Sequence, residues 1–338
     1  MESEIRTILE RNYVIFVCTD TDATYIFRDL HGNPRVRIIN KAHFFHNKFL
    51  SLAFRFCFSQ VMNNHFPMRI KRVWFGQIVR ACRFGNDDPV VFVFNQGWYD
   101  EMLVSWLKAN HPEFLLGIYF DDTIAFCKSR IHALDPFRLK QLYDFVLSYN
   151  SEDVERYGYT FSPVYFSKIP VGLLPQEERG GLVFIGQPKD RLPLLLQIYE
   201  KLHPYVVCRF ILAGKRPSGD SSKEGIVYRN SFLSYLSYIG CEVASDCILE
   251  IIKGDTKGCS YRVWEAVYYN KKLLTNWKGI FSFPFYNPKF MRYFETADDI
   301  DVEFVRSKEP VDYGYKGENS PIHLLENLDS ILDGQRTS

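Results

Sequence analysis

The chain has 338 residues, 46% of them hydrophobic and 24% charged, with a net charge of +1; these are globular values with room for two ordinary domains. No apolar run reaches the roughly 18–20 residues that span a bilayer. The opening MESEIRTILERN is charged and lacks an apolar h-region, so no signal peptide is expected.

Strand and helix signals alternate along the first half. Tyr13 to Cys18 reads as a buried strand, and His43 to Val61 as a helix. Val90 to Phe94 is a second strand, and Tyr99 to Ala109 a helix. Phe114 to Phe120 is a strand that closes on Asp121 and Asp122. Pro136 opens a helix to Tyr143, Phe145 to Tyr149 is a short strand, and Ser151 opens a short helix that stops at Gly158. Such alternation implies βαβ units and a largely parallel sheet.

Between His31 and Asn86 there are ten Lys or Arg and no Asp or Glu, so the remainder carries −9. Aromatics, among them Phe49, Phe56 and Trp74, are interleaved. A cationic, aromatic surface suits an anionic membrane or acceptor. It also suits nucleic acid, or a core helix with a solvated basic face.

Residues 166–181 hold Pro170, Pro175 and the Gly180–Gly181 pair, the composition of a linker. A second α/β pattern follows. Leu182 to Ile185 is a strand, Arg191 to Leu202 a helix, Cys208 to Ala213 a strand, and Ile226 to Tyr228 extended. Ser231 to Val243 is a helix. Beyond Pro310 the tail is polar, with a helix over His323 to Leu332. The expected divisions are 1–165, the linker 166–181, 182–310 and the tail 311–338.

The most informative segment is Asp246 to Trp277. A strand (Cys247 to Ile252) runs into a loop with Gly254 and Gly258, a helix opening at Ser260, and a short strand, Leu273 to Thr275. Free N–H groups and the positive end of the macrodipole make such a helix start an anion site. Arg262 lies one turn in and can reach a phosphate with its fork. Glu265 shares its face and could accept hydrogen bonds from ribose hydroxyls. A second basic turn follows Gly186, with Lys189 and Arg191. Diphosphate plus ribose describes a nucleotide-sugar. The bland alternatives are an exposed Glu265 carboxylate, a surface ion pair for Arg262, helix C-terminal partners for Lys271 and Lys272, and packing for Trp264 and Tyr268.

The eight cysteines form no CxxC pair, and no histidine neighbours them at zinc-ligand spacing, so a reduced, cytosolic chain with no structural metal is expected. Asp20 and Asp22 form a DTD triplet, too short a signal to assign a metal. No GxGxxG follows a strand, which disfavours a nicotinamide dehydrogenase. The base that an inverting transfer needs is sought at strand ends, where Asp121 and Asp122 rank ahead of Asp20, Asp22, His43 and His46. A retaining enzyme needs no such base.

Three blocks, SYNSEDVERYG with FSPVYF, GLVFIGQPKDRLPLLLQIYEKL, and GCSYRVWEAVYYNKKLLTNW with FYNP, resemble bacterial GT-B-type glycosyltransferases of capsule, exopolysaccharide and lipopolysaccharide biosynthesis. The likeness covers most of the chain and is weaker before Val90. It implies two Rossmann-like α/β domains facing across a cleft, and metal-independent transfer from a nucleotide-sugar donor to a saccharide or lipid-linked saccharide acceptor, with no cofactor. The carboxyl-terminal domain would hold the diphosphate with Lys189, Arg191, Arg262 and the Gly258 to Ser260 backbone beside Gly186, and the ribose with Glu265. The amino-terminal domain would take the acceptor and rest on the anionic inner face of the cell membrane through residues 31–86. Nucleic acid is not an expected partner. The competing readings are a non-catalytic nucleotide-sugar or polysaccharide-binding protein of the same fold, and a basic membrane or nucleic-acid adaptor.

Overall fold

The computed structural model describes residues 9–66, 68–214, 223–252 and 258–336. Gly254 and the first eight residues, both used in the sequence reading, lie outside the described residues. The chain forms two compact units, Met1–Ser167 with Asn319–Ser338, and Lys168–Glu318.

In the first unit the elements run β1 (Asn12–Val17), β2 (Val36–Asn40), α1 (Lys48–Cys57), α2 (Gln60–His65), α3 (Phe75–Ala81), β3 (Val90–Asn95), α4 (Glu101–Asn110), β4 (Leu115–Phe120), α5 (Ile124–Arg130), α6 (Leu139–Leu142), β5 (Phe145–Ser148), α7 (Ser151–Tyr157) and β6 (Thr160–Phe161). The strands form one sheet in the order β2-β1-β3-β4-β5-β6. Every pairing is parallel. All six side chains of β1 are buried, as expected of a parallel strand covered on both faces. Phe16 stacks on Phe94 at 4.3 Å and meets Trp98 edge-on at 5.1 Å.

The helix expected over His43 to Val61 is broken. Ser59 is extended and its hydroxyl caps α2 through the Met62 amide at 3.4 Å, so the run divides into α1 and α2. Four elements of this unit unread in the sequence are β2, which is only half-buried, α3, α5, capped by Thr123 directly after Asp121 and Asp122, and the two-residue β6.

The second unit runs β7 (Leu182–Gly186), α8 (Leu192–Leu202), β8 (Cys208–Ala213), β9 (Ile226–Arg229), α9 (Tyr235–Ala244), β10 (Cys247–Glu250), α10 (Tyr261–Tyr268), β11 (Lys272–Thr275), β12 (Met291–Tyr293) and α11 (Val302–Arg306). Its sheet, also all parallel, has the order β12-β11-β10-β7-β8-β9. The helix expected from Ser231 starts later, where Ser234 caps α9 through the Ser237 amide at 3.2 Å.

The last helix, α12 (Pro321–Arg336), belongs to the first unit. Its Leu324, Leu325, Leu328 and Leu332 are buried. Asp329 accepts hydrogen bonds from Tyr13 Oη at 2.6 Å and Arg11 Nη1 at 2.7 Å, and Asp333 accepts one from Arg11 Nη2.

Candidate functional site

In open parallel sheets, ligands bind outside the carboxyl ends of the strands where the strand order reverses. In the second sheet that point lies between β7 and β10. Gly186 ends β7, and the Arg262 guanidinium occupies the space above it. A Cβ on Gly186 would come within 3.2 Å of Arg262 Nη2. That nitrogen donates to the Ile185 carbonyl, and the guanidinium lies over the rings of Phe184 at 5.4 Å and Tyr238 at 5.8 Å. Arg191 approaches the same Phe184 ring at 5.7 Å. Its Nη1 donates to the Ile251 carbonyl at 2.6 Å and its Nη2 to the Gln187 carbonyl. Backbone carbonyls at two strand ends thus hold two cations around one aromatic ring. Burial, and then the charge of Arg262, pull the Arg191 pKa down, so this corner of the unit favours an incoming anion. Lys189 stands exposed on the same turn in the left-handed region, φ 44°, a conformation that is unusual for a non-glycine residue.

Ser260 caps α10, as the sequence indicates: its Oγ accepts from the Arg262 amide at 3.2 Å. The same hydroxyl donates to Glu250 at the end of β10. Thr275, the register partner of Glu250 on β11, donates to the other oxygen at 2.5 Å. Gly258 is buried two residues before the cap. Glu265 is not on the surface; it is 1% exposed. Its Oε2 accepts from Tyr238 Oη at 2.8 Å, while Oε1 has no donor other than the Glu242 carboxyl. Glu242, buried on α9, lies 3.8 Å from Arg262 Nε. Burial pushes both the Glu242 and Glu265 carboxyls up; the charge of Glu265 adds to the rise of Glu242, while hydrogen bonds from Glu242 and Tyr238 oppose that of Glu265, and Arg262 opposes both. Burial likewise raises Glu250, against the pull of its two hydroxyl donors.

Lys271 and Lys272 do serve helix ends, but those of neighbouring helices. Lys271 Nζ donates to the Ser245 carbonyl after α9 at 2.8 Å. The buried Lys272 Nζ donates to the carbonyls of Val305 and Ser307 at the end of α11, at 2.9 and 2.6 Å. Trp264 is packing, edge-on to Phe283 at 4.9 Å.

In the first sheet the reversal lies between β1 and β3, and Asp121 directly follows β4, the next strand along. Gln96 grips Asp121 twice. Its Oε1 accepts from the Asp121 amide at 3.1 Å, and its Nε2 donates to the carboxylate. Asn95 Nδ2 adds a contact at 3.3 Å. Burial pushes the Asp121 carboxyl up to about 7, against the pull of Gln96. Asp122 is exposed, though the protein surrounding its carboxyl still raises it, with Arg130 opposing. Asp20 turns to His43 at 2.9 Å and Asn40 at 2.7 Å. Asp22 hydrogen-bonds with the amide of Thr19 at 3.2 Å.

Sequence reasoning missed Gln96, Tyr238, Glu242 and Glu250. Glu242 had a signal: it is the lone charge in the apolar run YIGCEVA. Gln96 had a weaker one, a polar residue directly after the strand VVFVFN.

No family model matches the chain, and no curated protein matches it. Solved structures do. The chain is similar to trehalose-6-phosphate synthase OtsA, with a TM-score of 0.55 and 10% identity over 95% of this chain and 99% of that one. It is also similar to an alpha,alpha-trehalose-phosphate synthase (UDP-forming) from Burkholderia vietnamiensis, with a TM-score of 0.48 and 9% identity over 97% and 100%. A third is the UDP-GlcNAc 2-epimerase of Methanocaldococcus jannaschii in complex with UDP-GlcNAc and UDP, with a TM-score of 0.48 and 12% identity over 95% and 99%. The two parallel six-stranded sheets with their helices are those of the GT-B fold.

Proposed function

We propose that this chain is a glycosyltransferase that takes a sugar from a nucleotide-sugar donor. One observation carries the reading: Arg191 and Arg262 are both held around Phe184 at the reversal point of the second sheet, beside the Ser260-capped start of α10. Two fixed cations next to a helix N-terminus suit a diphosphate. They would stabilise the charge that develops on the leaving nucleoside diphosphate with no reorganisation at the moment of reaction. Lys189 and the Gly258 to Ser260 backbone join them at the rim. The Oε1 of Glu265, which has no donor but the Glu242 carboxyl, is assigned to a ribose hydroxyl that would donate to it.

Residues 182–310 are the donor domain in this reading and 1–165 the acceptor domain, with 166–181 as linker and 311–338 as tail. Asp121 is assigned as the base, with exposed Asp122 beside it. The acceptor hydroxyl oxygen bonds to the anomeric carbon, the bond from that carbon to the phosphate oxygen breaks, and the carboxylate takes the hydroxyl proton. The acceptor is a saccharide, lipid-linked, in surface-polysaccharide assembly on the cytoplasmic side.

The test titrates the protein with UDP-, GDP-, CMP- and dTDP-sugars while following nucleotide release. Saturable binding to one donor, weakened at least about tenfold in Glu265→Ala and Arg262→Ala, is expected, with release on adding acceptor. Binding without release under any acceptor would mark a non-catalytic donor-binding protein. A folded protein that binds none of the donors would end the transferase reading.

A further inference from the structure

The outward face of α1 is apolar. Counting from Phe49, the stripe at i, i+3, i+4 and i+7 is Phe49, Leu52, Ala53 and Phe56, and all four are exposed. Phe49 is 84% exposed, Leu52 66% and Phe56 48%. The core side of the same helix is carried by Phe54 and Cys57, so the stripe is a second apolar face that none of the described residues covers. The elements packed against α1 add to it. Val61 of α2, and Ile70 and Val73 of the 3₁₀ turn Arg69–Trp74, are exposed as well. Exposed apolar side chains grouped on one face and rimmed by charge mark an interaction surface.

The charges around this face are of one sign. Lys48, Arg55, Arg69 and Arg72 are exposed, and none of them has a carboxylate partner among the described residues. Other basic residues of the segment are engaged: Arg35 with Asp88 at 2.8 Å, Lys71 with Asp100, and Lys41 with the Gly97 carbonyl at 2.8 Å. The basic character seen in the sequence thus divides into structural cations and a set left free beside the apolar stripe.

We infer that this face of α1, α2 and residues 69–74 docks on an anionic lipid bilayer, with Phe49, Leu52 and Phe56 entering the headgroup boundary and the free cations meeting lipid phosphates. An apolar stripe flanked by Lys and Arg is the pattern of a helix lying in the interface. Each cation near an anionic surface strengthens binding by roughly fivefold. A second copy of the chain is a poor occupant, because a two-fold contact would bring the same cations together. Nucleic acid is a poorer one, because the rings of Phe49 and Phe56 are set among aliphatic Leu52, Val61, Ile70 and Val73, which would be left against a polar backbone. No helix among the described residues is long and apolar enough to cross a membrane, so the contact is peripheral. The inference rests on exposure and charge alone and stands apart from the donor site.

The full chain is sedimented with phosphatidylcholine vesicles and with vesicles containing about 30% phosphatidylglycerol. Preferential binding to the anionic vesicles is expected, falling about tenfold or more in Phe49→Ser with Leu52→Ser. The melting temperature should not move, since both side chains are exposed. Lys48→Gln with Arg55→Gln and Arg72→Gln should reduce binding to the level on neutral vesicles. Leu52→Trp should give blue-shifted emission on anionic vesicles only. Absence of sedimentation, or a serine variant that binds as the parent does, would overturn the inference. So would tight RNA binding without vesicle binding, or a dimer that the serine variant dissociates.

Discussion

Asp121 is held by both ends of one Gln96 side chain while burial pushes its carboxyl up to about 7. A base is active when deprotonated, so kcat/KM should rise with pH to about 7 and level off above it. Gln96→Ala removes hydrogen bonds that favour the ionised form, so the inflection should move to higher pH. Asp121→Asn should lower turnover by roughly 10²–10⁴-fold without changing donor affinity. An unchanged rate in Asp121→Asn would remove it from the chemistry. In the second unit, burial pushes the Glu242 and Glu265 carboxyls up, and the charge of Glu265 raises Glu242 further. A carboxyl whose folded pKa lies above its unfolded one binds its proton more tightly in the folded state, so stability is greatest at low pH and is lost as pH rises through the folded pKa. Melting temperature should therefore fall as pH rises above the ordinary carboxyl range, and fall less in Glu242→Gln, which carries one titrating group fewer. Parallel pH profiles for the two proteins would contradict the shared burial of the pair.

At the scale of elements, Asp100 joins two helical segments. Its Oδ1 caps α4 through the Leu103 amide at 3.0 Å, and its Oδ2 pairs with the buried Lys71 from the turn after α2. Asp100→Ala would remove the cap and leave Lys71 buried without its counter-charge. A loss of about 3–5 kcal/mol is expected in denaturant unfolding. A loss below about 1 kcal/mol would mean that Lys71 reaches water in the variant. β4 makes a comparable demand on shape. A Cβ on Gly117 would lie 1.9 Å from the Phe145 ring of β5, so Gly117→Ala should cost roughly 1–3 kcal/mol through overpacking.

At the scale of the whole molecule, the chain returns after the second unit to complete the first. α12 buries four leucines and places Asp329 and Asp333 on Arg11 and Asp329 on Tyr13, residues more than 300 positions away. Each buried leucine contributes roughly 1.5–3 kcal/mol. A chain ending at Glu318 should lose amide-exchange protection in β1, β3 and β4 and keep it in β7, β8 and β10. Retained protection in β1 would show that the first unit closes without its last helix.

The order of strands and helices was legible in the sequence because parallel strands covered on both faces must be continuously apolar, as YVIFV, VVFVF and LVFIG are. The cap at Ser260 and the stop at Gly158 were legible because capping chemistry is local. β2 was not legible, since a half-buried edge strand carries a weak pattern, nor was the break at Ser59, since apolar residues continue on both sides of it, from Phe58 to Val61 and Met62. The candidate site divides in the same way. Arg262, Ser260 and Glu265 follow from the spacing of one helix. Glu242, Tyr238 and Glu250 surround them only because α9, α10 and β10 pack together, and Gln96 meets Asp121 only because β3 and β4 are neighbours. Periodicity and capping act over a few residues, so the chain by itself determines its elements. Burial, the pairing of buried charges and the side of a helix left facing solvent depend on contacts distant in sequence, and only the tertiary structure decides them.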